Sequence, residues 1–142
     1  MRRGFSLPEL ALVVSVAGLL LVIGLPRLRG ALDRIAVSRA AGELTTTLAV
    51  ARHLAISYGM RTRITIRPDS LAVDSLGRDG WAPWGAFPGP ATHGVSLTVS
   101  NRVVQYNGIG IGWGLSNTRV VLRRGSHSET ITTSRLGRVK RW

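Results

Sequence analysis

Residues Phe5–Leu25 read FSLPELALVVSVAGLLLVIGL, a run of 21 residues with one ionisable side chain, Glu9. An α-helix needs about 20 predominantly apolar residues to cross a bilayer. A soluble core helix of that length would carry a polar stripe, and this run carries none. Arg2 and Arg3 precede it, and Arg27 and Arg29 follow it. The competing readings are a cleaved secretory signal and an ordinary signal anchor. The apolar region of a secretory signal runs only about 7 to 15 residues before a small-residue cleavage site. The run here is longer and ends on arginines, which favours a helix that stays in the membrane.

Glu9 is the anomaly in that helix. A charged side chain inside a membrane segment costs about 2.5–3.5 kcal/mol even on lenient insertion scales. Either the carboxylate reaches back to the headgroups from the first turn, or a partner supplies a cation. Pro8 is compatible with a helix start, because the first amides of a helix have no intrahelical acceptor to lose. Charge counting leaves the orientation open, since Arg2 and Arg3 on one side are opposed by Arg27, Arg29 and Arg34 on the other.

The stretch Gly4-Phe5-Ser6-Leu7-Pro8-Glu9-Leu10 closely resembles the type IV prepilin signal, usually Gly-Phe-Thr-Leu-Ile-Glu-Leu. The resemblance implies a cytoplasmic leader over residues 1–4, removed by prepilin peptidase between Gly4 and Phe5. It implies N-methylation of Phe5, and it makes Glu9 the assembly carboxylate that neutralises the terminal amine of a neighbouring subunit. Pro26 matches a proline common near the end of the membrane segment in that family, which gives residues 5–26 as the transmembrane and assembly segment. The head is then outside the inner membrane of a bacterium, in the periplasm, on a single-pass chain.

Beyond Pro26, the residues Leu28, Leu32, Ile35, Ala40, Leu44, Leu48, Ala51, Leu54 and Tyr58 recur mostly three and four apart. That is the spacing of an amphipathic helix over residues 27–59, with Gly59 as its natural stop. The two segments would form one helix from Phe5 to Tyr58, ~80 Å long at 1.5 Å per residue. Short β-like runs follow in the head, residues 60–142: Arg61–Arg67, Val95–Val99, Arg102–Tyr106, Thr118–Arg124 and Glu129–Thr133. Between Gly77 and Gly94 a stretch rich in Gly and Pro carries Trp81, Trp84 and Phe87, which reads as a long loop closed over aromatic anchors. The expected fold class is α+β, a long amino-terminal helix packed on an antiparallel sheet.

With 142 residues the chain has room for one small head and its attachments. A formal charge of +12 and a pI near 11.9 direct the exposed part towards anionic partners, nucleic acid or lipid headgroups. There is no cysteine, hence no disulfide and no thiolate metal site. For an enzyme the inventory is thin: His53, His93, His127 and seven carboxylates, one of them Glu9. His127 and Glu129, two apart, are weaker as metal ligands than as a solvated hairpin end. Asp69, Asp74 and Asp79 lack the alternate-residue oxygen spacing of a calcium loop and read as turn residues. The chain is expected to be non-enzymatic, with no cofactor and no metal.

The head also resembles the GspH/FimT family of minor pseudopilins and minor pilins. The likeness lies in Gly114-Leu115-Ser116-Asn117-Thr118 leading into Arg119-Val120-Val121-Leu122, and in Ile131-Thr132-Thr133-Ser134-Arg135-Leu136-Gly137-Arg138-Val139-Lys140. It implies a type IV pilin fold and a minor subunit of a type II secretion pseudopilus or type IV pilus, whose partners are other pilins or pseudopilins, prepilin peptidase and the inner membrane. The alternative is a minor pilin that binds double-stranded DNA without sequence preference during natural transformation. Arg119, Arg123 and Arg124 share one expected strand, and Arg135, Arg138, Lys140 and Arg141 crowd the last eight residues beside Trp142. On an extended strand Arg138, Lys140 and Trp142 share a face and Val139 points inward. FimT-like proteins bind DNA through Gly-Arg-x-Arg, which Gly137-Arg138-Val139-Lys140 matches except for its last residue. Lysine keeps the charge and loses the planar fork, which moves bidentate phosphate binding to Arg141. Against this stands a solvated basic strand that only keeps the head soluble.

Overall fold

The computed structural model describes residues 6–114 and 116–142. The leader, the cleavage junction at Gly4 and Phe5, and Leu115 of the Gly114–Thr118 motif lie outside the described residues. The chain forms two compact units, Met1–Leu32 and Asp33–Trp142.

Helix α1 spans Leu7–Tyr58, 52 residues, with Pro26 inside it and Glu9 in its first turn. In the first unit its leucines, valines and isoleucine from Leu7 to Leu28 are exposed, and the segment is long and apolar enough to cross a membrane. In the second unit the buried positions of the helix are Ala36, Val37, Ala40, Ala41, Leu44, Thr47, Leu48, Ala51 and Ala55. Spaced three and four apart, they make one apolar stripe. Five of the nine are alanines, which let the sheets approach the helix closely. Leu28, Leu32, Ile35 and Tyr58, expected on this stripe, are exposed instead. Gly59, at φ +60°, terminates the helix in the left-handed conformation that a β-carbon disfavours.

Nine strands follow among the described residues: β1 (Thr62–Ile66), β2 (Ser70–Gly77), β3 (Gly80–Pro88), β4 (Ser96–Val99), β5 (Val103–Tyr106), β6 (Gly112–Trp113), β7 (Thr118–Arg124), β8 (His127–Thr133) and β9 (Val139–Arg141). They make two antiparallel sheets rather than one, ordered β3-β2-β1-β5-β6 and β4-β7-β8-β9. Ile64, Ile66, Leu71, Val73, Val104 and Tyr106 of the first sheet and Val120, Leu122 and Ile131 of the second form one core with the helix stripe. Burying each such side chain stabilises the head by about 1.5–3 kcal/mol. Thr118 and Thr133, both buried, stitch the second sheet to the loops: Thr118 donates to Asn101 O at 2.8 Å and Thr133 to Ser116 O at 2.8 Å.

The stretch expected as a long loop is largely strand. Residues 80–88 pair with Ser70–Gly77 as a hairpin, and only Pro90–His93 form a short 3-10 turn before Gly94. Two prolines and two glycines hid β3, but it lies at the sheet edge, where a missing amide donor costs no ladder bond. Its register breaks where Val73 faces Gly85 and Asp74 faces Pro83, leaving Trp84 as the bulged residue. The bulge turns Trp84 towards Ala49, Val50 and Leu54 of the helix, with Phe87 6.4 Å away between ring centres.

Candidate functional site

Two regions carry chemistry, one on each unit. In the first, Glu9 is exposed in the opening turn of an exposed apolar helix. It has no ion pair among the described residues of this single chain.

The second unit has a nearly exhausted supply of acid. Asp33 pairs with Arg124 at 2.9 Å, Glu43 with His93 at 2.9 Å and Asp74 with Arg63 at 2.6 Å. Glu129 pairs with Arg141. Asp69 and Asp79 stand in the turns either side of β2. The interval of five between Asp69, Asp74 and Asp79 thus maps to a turn, an ion-paired strand position and a second turn. Glu129 turns to Arg141, so His127 and Glu129 do not form a joint site.

The cross-strand register defines the outer face of the second sheet. Ser96, Arg123 and Ser128 form one row. Thr98, Val121 and Thr130 form the next, with Trp142 hydrogen-bonded to Thr130 through both backbone groups. Arg119, Thr132 and Lys140 form the third, beside Ser100. Hydroxyls, Val121, one tryptophan and three cations make up this face, with no carboxylate side chain among the described residues. Val139 packs inward, as its position on the strand predicted. Lys140 and Trp142 do share a face, the Lys140 Nζ lying 3.4 Å from the indole centre.

Two of the cations expected at this surface are otherwise engaged. Arg141 occupies the opposite side of β9, where it donates through both Nε and Nη2 to Glu129 and through Nη2 to Ser38 at 2.7 Å. Those charged hydrogen bonds raise the Arg141 pKa further above its ordinary range. The fork proposed for phosphate is closed on a carboxylate. Arg124 likewise bridges Asp33 and the carbonyl of His93, holding the β7–β8 hairpin and the 3-10 turn to the helix.

Arg135, Gly137 and Arg138 belong to a turn closed by Gly137 N–H to Ser134 O and Ser134 N–H to Arg138 O, each 2.9 Å. Gly137 has φ +73°, and a β-carbon on it would meet Gly110 O at 2.5 Å. Arg138 is exposed on a cleft of about 930 Å³ that it lines with Arg52, Leu48, Leu136 and Val139. Arg52, unremarked in the sequence, donates to Gly110 O at 2.9 Å and so ties the helix to the loop against which Gly137 packs. Beside it, Tyr106 is 1 % exposed, and its hydroxyl has no hydrogen-bond partner among the described residues. Burial pushes this phenol up to about 12, with Arg52 opposing the shift.

On the first sheet, Arg61 lies over Trp113 at 5.2 Å and Arg63 over Trp81 at 4.6 Å. Both arginines were read in the sequence only as strand residues, because the partner rings come from β6 and β3, neither of which the periodicity revealed.

No protein-family model matches the chain, and no curated protein does. Solved structures do. The type IV minor pilin FimU of Pseudomonas aeruginosa PAO1 superposes with a TM-score of 0.64 at 17% identity, over 75% of this chain and 88% of that one. A second crystal form of FimU gives 0.61 at 16% identity, over 74% and 91%. The minor pseudopilin EpsH of the Vibrio cholerae type 2 secretion system gives 0.61 at 14% identity, over 75% and 95%. Superposition over 88–95% of these proteins, at TM-scores of 0.61–0.64, gives this chain, a long helix packed on antiparallel sheets, the α+β type IV pilin fold.

Proposed function

We propose that the chain is a non-enzymatic minor pilin or pseudopilin, a subunit of a type IV pilus or a type II secretion pseudopilus. The observation that carries this reading is a pilin-fold head on a helix whose first turn places one carboxylate, Glu9, in an otherwise apolar exposed run. In this reading the chain enters the inner membrane once, with its head in the periplasm. Prepilin peptidase removes residues 1–4, Phe5 is methylated, and Glu9 meets the terminal amine of the next subunit. The isolated charge in the membrane segment is thereby compensated only on assembly, which couples filament formation to relief of an energetic cost. Mass analysis of the amino-terminal peptide from membranes tests the processing step. Methylated Phe5 as the first residue is expected in cells with the peptidase, and an intact Met1–Gly4 leader there would overturn it.

A second reading is favoured by one feature, the outer face of the second sheet, which carries Arg119, Arg123 and Lys140 and no Asp or Glu side chain among the described residues. In this reading the subunit also contacts DNA during uptake, with the sugar-phosphate backbone as its main ligand. Three phosphate contacts give a log–log dependence of affinity on salt with a slope of about −2 to −3. Titration of DNA oligonucleotides against the full chain in non-ionic detergent tests it. Absence of binding at low salt would end this reading and leave the filament role standing.

A further inference from the structure

Trp142 is 66% exposed at the edge of the second sheet, so its indole is open to a ligand. One ring face is occupied, since the Lys140 Nζ lies 3.4 Å from the ring centre. No second ring or cation lies against it among the described residues. Around it the face presents what a nucleic-acid strand recognises. Arg119 and Arg123, four residues apart on one side of β7, stand ~13 Å apart along the strand at 3.3 Å per residue. Lys140 lies two strands from Arg119 in the same row, ~10 Å away at about 4.8 Å per strand. Ser128, Thr130 and Thr132 fill the intervening strand with hydroxyls, and Val121 offers an apolar floor.

A duplex presents phosphates and groove edges to such a surface, with its base faces buried in the stack. An exposed indole plane therefore gains little from a duplex and much from an unpaired base, where stacking on an aromatic ring supplies a large, sequence-tolerant share of affinity. Lys140 also sits where its charge polarises the indole and reaches a neighbouring phosphate.

We propose that the outer face of the β4-β7-β8-β9 sheet takes single-stranded nucleic acid in preference to duplex, with Trp142 as the platform on which a base stacks. The proposal rests on the reading of this face as a DNA contact and replaces the double-stranded ligand expected from the sequence. Arg119, Arg123 and Lys140 hold the backbone, and Trp142 supplies the discrimination between strand forms.

The test is fluorescence anisotropy of a labelled 20-mer of deoxythymidine and of a 20-base-pair duplex, each titrated with the full chain in non-ionic detergent at low salt. The single strand is expected to bind about 10-fold more tightly than the duplex. Trp142→Ala should weaken single-strand binding by about 10-fold, Trp142→Phe should retain most of it, and duplex affinity should change less than about 2-fold in either variant. Equal affinity for the two forms, or a Trp142→Ala variant that binds the single strand as well as the parent chain, overturns the stacking proposal while leaving DNA contact intact. Absence of binding by both forms overturns the proposal and the DNA reading together.

Discussion

Lys140 and Arg141 are consecutive residues of β9 that the pleat sends to opposite sides of the sheet: Lys140 to the indole of Trp142, and Arg141 to Glu129 and Ser38. Adjacent cations of similar charge thus have different work. Lys140→Ala should lower DNA affinity and reduce the magnitude of the salt slope by about 1, with thermal stability unchanged. Arg141→Ala should leave affinity within about 2-fold. It should cost about 1 kcal/mol of stability, because the pair it breaks is forked but partly exposed. Titration and thermal unfolding of the two variants separate these roles, and loss of binding in Arg141→Ala would return that residue to the interface.

Gly137 is fixed by geometry rather than by charge. Alanine there must adopt φ +73° and place a β-carbon 2.5 Å from Gly110 O and 2.9 Å from Arg52 Nε. Gly137→Ala should destabilise the head by about 1–3 kcal/mol and displace the turn that carries Arg138. Chemical denaturation measures the first effect. An unchanged midpoint would mean that the Arg52–Gly110–Gly137 packing contributes little.

Tyr106 makes stability depend on alkaline pH. Its phenol titrates at about 12 when folded against 10.0 for the free side chain, because burial disfavours the charged form. The contribution is fully present below pH 10. As pH rises from 10 to about 12 the unfolded chain releases the proton and the folded chain retains it, so stability falls by about 3 kcal/mol at 1.36 kcal/mol per pH unit. Tyr106→Phe should remove this component of the pH dependence. Near neutral pH it should cost little, since the hydroxyl it deletes has no hydrogen-bond partner among the described residues. Denaturant midpoints of the two proteins between pH 8 and 12 check both statements.

The sequence made the helix legible because its signals are local and redundant: an apolar run, then a three-and-four spacing through Ala40, Leu44, Leu48 and Ala51, then Gly59. Strands β1, β4, β5, β7 and β8 were legible from alternation such as Ile64 and Ile66. Strand β2 was missed because alternation through Leu71 and Val73 lapses at Ser75 and Leu76. Strand β3 was missed because Pro83, Pro88 and its glycines are loop signals anywhere but at an edge. The division into two sheets depends on long-range register that no local pattern encodes. At the site, periodicity placed Lys140 and Trp142 on one face and Val139 on the other. It offered nothing to reveal that Arg124 and Arg141 would meet Asp33 and Glu129, because the members of those pairs are brought together only by the tertiary fold.

In the proposed function, Glu9 acts as an assembly carboxylate in a filament subunit. The direct measurement is the amount of Glu9→Ala relative to the parent chain in sheared, purified filaments, normalised to the amount in membranes. The account predicts membrane levels like those of the parent and filament levels reduced at least ~10-fold, as expected when ~1.4 kcal/mol or more of assembly free energy is lost. Equal incorporation of the two proteins would contradict it.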